Sequence, residues 1–232
     1  MIRSATARTM FMVAAFMAFC VLPAMATTVV IPNVNTNTPG PSNQAFPYNQ
    51  GQMRVQQVFA RDQFQGLIGP ITQIAFRIDE SAGSPFTSGP IDTEVRLSYT
   101  TVVPTAMNLN FAANITSPQT LVYDGLLNLS SAGTGFDIVI NVDPIFNYNG
   151  TQNLLVEYKV FGPAVTTQFD AAGTGIGQGG TPWVDRVWAV GDPNAVSGSS
   201  DGDDGYVTQF TIAAATAVEP TSWGAIKATF KN

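Results

Sequence analysis

Apolar and polar residues alternate along most of this chain with a period of two. In "ITQIAFRID", Ile74, Phe76 and Ile78 fall on one side, with Ala75 and Arg77 on the other. "DTEVRLSYT" sets Val95, Leu97 and Tyr99 against Glu94, Arg96 and Ser98. "GFDIVINV" groups Phe136, Ile138, Ile140 and Val142, and "NLLVEYKV" groups Leu154, Val156, Tyr158 and Val160. "YVTQFTI" does the same with Tyr206, Thr208, Phe210 and Ile212. Successive side chains of a strand leave on opposite faces, so each run predicts a half-buried β-strand. Between the runs lie "ESAGSPFTSGP", "NLSSAGTG", "NYNG" and "GDPNAVSGSSDGDDG", rich in residues that accept positive φ or bond their own backbone.

The pattern predicts an all-β fold, an antiparallel β-sandwich of about ten strands, of jelly-roll or immunoglobulin-like type. No linker or shift of composition divides residues 27–217, so one domain is expected there. No repeat of the length that builds a solenoid or propeller is visible. The segment "PNVNTNTPGPSNQAFPYNQGQ" after the first short strand reads as an extended, Pro-rich loop.

Residues 1–26 have the three parts of a secretory signal peptide: basic Arg3 and Arg8, an apolar run from Met10 to Leu22, and the small-residue site Ala24-Met25-Ala26. The run is shorter than the roughly 20 residues a spanning helix needs, so cleavage after Ala26 is expected, with no stable membrane span in the mature protein. The chain is thus expected to be secreted or displayed on a bacterial surface. The single cysteine, Cys20, lies within the apolar run and follows Phe19, where a lipobox wants a small residue. The mature chain would carry no thiol, hence no disulfide and no cysteine nucleophile.

Charge is sparse and acidic. Lys and Arg number 10 against 16 Asp and Glu, and losing Arg3 and Arg8 widens the excess. That balance argues against nucleic acid or an anionic membrane surface as partner. Charged residues make up 11% of the chain, less than half the usual ~25%. Asn, Gln, Ser, Thr and Gly supply polarity instead.

Candidate chemistry is thin. The chain has no histidine, which removes Ser-His-Asp hydrolysis and His-bound zinc together. "GIGQGG" has G-x-G-x-x-G spacing at Gly175, Gly177 and Gly180, but Thr181 and Pro182 follow where a phosphate-binding helix should start, so it reads as a loop. Two carboxylates alone can hydrolyse glycosides. Glu94 and Glu157 are the strand-borne candidates, yet both alternate with charged neighbours, Arg96 and Lys159, as solvent-facing residues do. Asp201, Asp203 and Asp204 crowd one Gly/Ser-rich turn and form a candidate calcium site. Gly205 stands where a third acidic ligand belongs and no glutamate closes the loop, so a plain solvated turn without cofactor is the favoured reading. Trp183 is a candidate sugar-stacking ring. Trp188, an odd number of residues away, belongs on the opposite face with Val184 and Val190, towards the core. Sequons at Asn114, Asn128 and Asn149 matter only in a host that glycosylates.

"MRVQQVFARDQF", "ITQIAFRID", "EVRLSYT", "FDIVINVDPIFNYNGTQNLLVEYKV", "DRVWA" and "GYVTQFTI", spanning Met53 to Ile212, together resemble a group of uncharacterised exported bacterial proteins. Several of these carry C-terminal sorting tails of the PEP-CTERM kind. The resemblance implies a β-sandwich surface protein and supplies no catalytic residue. The tail at 218–232 matches such a signal in part: Val218-Glu219-Pro220 approximates its Pro-Glu-Pro start, and Lys227 and Lys231 its basic end. The apolar helix between is missing, and the "WG-x-IK-A" ending resembles short tails of other exported bacterial proteins. Trp223, Ile226 and Phe230 mark one face of a short helix, so Glu219, Pro220, Trp223, Gly224 and Lys227 read as an address more than an anchor.

The leading expectation is a non-catalytic structural or interaction protein of the cell surface or extracellular matrix. Its partners would be other surface proteins or extracellular polysaccharide. A carbohydrate-binding module is the alternative, to be marked by exposed aromatics on a sheet face; a carboxylate-only glycosidase or lyase comes third. Thermal melts with calcium and with chelator should have equal midpoints if the acidic turn is merely solvated. A midpoint raised by calcium would assign Asp201, Asp203 and Asp204 as ligands.

Overall fold

The alternating runs are strands. The computed structural model describes residues 26–133, 135–173, 183–200 and 205–214, and these form β1 (Thr27–Ile31), β2 (Ser42–Gln44), β3 (Met53–Phe59), β4 (Gly69–Phe76), β5 (Phe86–Thr100), β6 (Thr120–Ser131), β7 (Ile138–Tyr148), β8 (Asn153–Val160), β9 (Phe169–Ala171), β10 (Val184–Val190) and β11 (Thr208–Ile212). One sheet has the order β1-β11-β4-β7, the other β10-β3-β8-β5-β6, and β2 pairs with β9 apart from both. All the pairings are antiparallel.

Strand order selects between the two expected sandwich types. With β2, β9 and β10 set aside, the remaining strands lie first, last, third and sixth in one sheet, and second, seventh, fourth and fifth in the other. That interleaving is two Greek keys wound together, a jelly roll. An immunoglobulin sheet places its first strand beside its second; here β1 lies beside β11, and Thr28 faces Thr211.

The inward faces are the ones the alternation marks. Ile74, Phe76, Val95, Leu97, Ile138, Ile140, Val156, Tyr158 and Phe210 are buried in one cluster. Aromatic rings cross the gap between the sheets: Phe59 of β3 meets Phe210 of β11 edge-on at 4.9 Å. Phe76 of β4 meets Tyr158 of β8 at 5.9 Å, and Tyr99 of β5 meets Phe146 of β7 at 5.0 Å. Slips of register in β4–β7, between Ile71 and Gln73, and in β5–β6 add local twist without breaking the inward series.

Two expectations need correction. The Pro-rich segment after β1 is not simply an extended loop: it holds a 3-10 turn at Asn33–Asn35 and strand β2, and it buries Asn35, Phe46 and Tyr48. Glu157 is not solvent-facing either, being 1% exposed. Alternation identifies the outward face of β8 but not what covers it. Residues 101–119 and 191–200 close over that face, with Arg54 donating to Glu157 at 2.7 Å and to the Ala195 carbonyl at 2.8 Å. Gln56 donates to the same Glu157 oxygen at 2.6 Å and accepts from Asn114 at 3.1 Å.

Burial pushes the hydroxyls of Tyr48, Tyr148 and Tyr158 well above their ordinary value of 10.0. The unfolded chain ionises these phenols near that value and the folded chain does not, so their contribution to stability is present below it and lost as pH rises beyond it. Denaturant midpoints should therefore fall above about pH 10, with phenolate absorbance from these three appearing only on unfolding. Reversible titration of all the tyrosines at their ordinary value in the folded protein would refute this.

Candidate functional site

The outward face of the four-stranded sheet carries neutral side chains in register. Thr28, Thr211, Gln73 and Asn141 are successive cross-strand partners, forming one row over β1, β11, β4 and β7. Val30, Gln209, Ala75 and Val139 form the row beside it. Gln73 donates to Asn141 at 3.1 Å and accepts from Thr211 at 3.3 Å, so the first row is linked through its own amides and hydroxyl. Neither row carries a charge.

At one end of this face stands a buried ion pair. Arg77 follows the last residue of β4, and its Nε donates to Asp170 Oδ2 at 2.6 Å. Its Nη2 donates to the carbonyls of Asn35 at 2.9 Å and Thr38 at 2.6 Å. The other Asp170 oxygen accepts from the Gly40 amide at 2.7 Å. A side chain at Gly40 would meet the Ala171 carbonyl oxygen at 2.0 Å, so only glycine lets the chain pass so close to β9. Burial raises the pKa of Asp170, opposed by its bonds to Arg77 and to the Gly40 amide. The pair thereby pins residues 35–40 against the sheet.

Arg77 also lies over the ring of Phe136, 4.7 Å from its centroid. Clefts open on both sides of this stack, and Asn37 lines both. One, of about 450 Å³, is bordered by Arg77, Asp79, Glu80 and Gly133. Its Asp79 is occupied: one carboxylate oxygen accepts from Ser81 N at 2.9 Å, Ser81 Oγ at 2.8 Å and Ala82 N at 2.6 Å, an Asx turn. The other cleft, of about 340 Å³, is bordered by Thr28, Asn37, Gln65, Phe136 and Gln209, with Val30 beneath.

The walls of the smaller cleft are held in place. Asn33 donates from its backbone to Gln63 Oε1 at 2.9 Å and from its side chain to the Gln63 carbonyl at 2.8 Å, joining the loop that carries Asn37 to the turn that carries Gln65. Gln65 itself has a φ of 55°, in the left-handed region. That conformation costs a non-glycine residue roughly 1–2 kcal/mol, and strain of this kind gathers where a side chain must be aimed.

The residues singled out from the sequence are not gathered into one site. Glu94 sits half-buried on β5 in an ion pair with Arg96 at 2.9 Å. Glu157 is closed off beneath the 101–119 segment, its Oε2 accepting from Arg54 and Gln56. A glycosidase acid needs a reachable, protonated carboxyl, and Glu157 offers neither reach nor a free oxygen on that side. Trp183 is half-buried just before β10, where its carbonyl accepts from Ala60 N at 2.9 Å. Trp188 is half-buried too, packed on Phe46 at 5.0 Å at the margin of the core, and Val190 is exposed. Arg186, between Val184 and Trp188 on the same side of β10, is fully buried among Phe46, Trp188 and Tyr206. The sequon asparagine Asn114 is buried and hydrogen-bonded, which removes it as an acceptor in the folded protein. Asp201, Asp203, Asp204, the "GIGQGG" glycines, the signal peptide through Met25, and Glu219, Pro220, Trp223, Gly224 and Lys227 of the tail lie outside the described residues.

Phe136, Asn37, Gln65 and Gln209 were missed. Phe136 looked like the first inward position of the β7 alternation; β7 begins at Ile138, and Phe136 turns to the stack with Arg77. Among the described residues no three His, Cys, Asp or Glu side chains come together for a metal, and no helix is long and apolar enough to cross a membrane. No protein-family model matches the chain, and no curated protein does either.

Removing the Asp170 carboxylate would leave Arg77, 14% exposed, without its counter-charge. Asp170→Ala should therefore lower the unfolding free energy by about 3–5 kcal/mol in urea melts. A double replacement of the pair by apolar residues should cost distinctly less. Equal costs would show that the pair is not what holds residues 35–40.

Proposed function

We propose that this chain is an exported, non-catalytic structural or interaction protein of the bacterial cell surface or extracellular matrix. The observation that carries the reading is the pair of uncharged rows on the outward face of the four-stranded sheet, with a pre-set cleft at their end. Hydroxyls and carboxamides there offer donors and acceptors for association. None is a nucleophile or proton donor tuned for turnover. The clustered carboxylates and guanidiniums serve as ties within the fold instead. The export signal at 1–26 and the address-like tail at 218–232 support the same reading from the sequence.

A carbohydrate-binding role is favoured by one specific feature, an aromatic ring, Phe136, set among neutral amides in the smaller cleft. Its place differs from that expected for Trp183.

Deleting Glu219 to Asn232 should leave the melting temperature nearly unchanged while moving the protein from the cell-bound or matrix fraction to the medium. A full-length chain found wholly in a soluble periplasmic pool would overturn the surface assignment. A large loss of stability would show that the tail belongs to the fold.

A further inference from the structure

We infer that the cleft between Phe136 and Gln209 binds a segment of an uncharged polysaccharide, and that the neutral rows beside it continue the site. The inference deepens the interaction reading above and rests on it.

Three properties of the cleft point to this ligand class. Its polar groups are Thr28, Thr36, Asn37, Gln65 and Gln209, each able to donate and to accept, as sugar hydroxyls do. Phe136 supplies an apolar ring for the C–H face of a pyranose, and Arg77 fixes that ring from 4.7 Å away. The volume, about 340 Å³, lies at the small end of ligand sites, so it suits a short stretch of a longer chain.

The sheet face argues the same way. From Thr28 the row runs through Thr211 and Gln73 to Asn141, crossing all four strands. Neighbours in such a row stand about 5 Å apart, giving a run of hydroxyls and amides along which further sugar units can lie. An acidic polysaccharide would want cations, and the guanidinium at the end of the face, Arg77, is taken up by Asp170 and two carbonyls. A protein partner would want large apolar anchors; of the apolar side chains in the rows, Val30 and Ala75 are buried at 4% each and Val139, at 37%, is the one exposed.

The test is a glycan array of neutral and acidic oligosaccharides probed with the full secreted chain, followed by affinity electrophoresis in a soluble neutral glucan, a galactomannan and alginate. Neutral glycans should retain the protein and alginate should not. Phe136→Ala and Gln209→Ala should each weaken retention roughly tenfold, while Val196→Ser, an exposed position outside the cleft and both rows, should leave it unchanged. Gln209 is half-exposed on β11, so Gln209→Ala keeps the test meaningful if loss of the Phe136 ring disturbs folding. A flat array, preferential binding of alginate, or neutral binding that survives both cleft variants overturns the inference. The surface reading rests on fractionation and would stand through any of these.

Discussion

Aromatic rings reaching across the gap between two sheets hold this molecule together. Its one cysteine is Cys20, so no disulfide within the chain can tie the sheets. Phe59 against Phe210, Phe76 against Tyr158 and Tyr99 against Phe146 each join a strand of one sheet to a strand of the other. A buried ring of this size removes about 150–250 Å² from water and gains further from an edge-on or tilted partner. Since β1 and β11 are neighbours, the same contacts that close the core also bring the first and last strands into register. The outward row beginning at Thr28 and Thr211 exists only because of that closure.

The scarcity of charge has a structural counterpart. Several charged groups that are present are turned inward: Arg54 joins Glu157 to the 191–200 segment, Arg77 joins Asp170 to residues 35–38, and Arg186 is packed among three rings. Ion pairs taken out of water contribute little net stability compared with well-packed apolar replacements, but losing one partner is costly. Their effect here is positional. They fasten long connections over the sheets at defined places, beside two outward rows made of neutral side chains.

The strands were legible because each shows one face to an apolar core, and that contrast is written locally, as in Ile74-Ala75-Phe76. The choice between jelly roll and immunoglobulin order was not, because it depends on β1 meeting β11 and β3 meeting β8, pairings far apart in the chain. Coverage was equally illegible. Glu157 alternates outward as read, yet is sealed by a segment whose own sequence looks like loop. The same holds for Phe46 and Tyr48, buried from within a Pro-rich stretch that alternates with nothing. Phe136 misled in the opposite direction, since a ring placed two residues before an inward isoleucine looks like core until the strand's start is known.

The cleft explains why no motif announced it. Thr28 comes from β1, Asn37 and Gln65 from separate turns, Phe136 from the approach to β7 and Gln209 from β11. Each is an ordinary residue in its own segment, and only closure of the sandwich brings them together. A site of one ring and a few amides gives weak binding per contact, since each net hydrogen bond is worth only about 1 kcal/mol. Repetition compensates for weakness of that kind: a polymer offers the same unit many times, and a chain retained at a surface offers many copies of the cleft, so the second contact forms at a high effective concentration. A site of one ring and a few neutral amides is therefore better matched to holding a repeating polymer in place than to capturing a single small molecule.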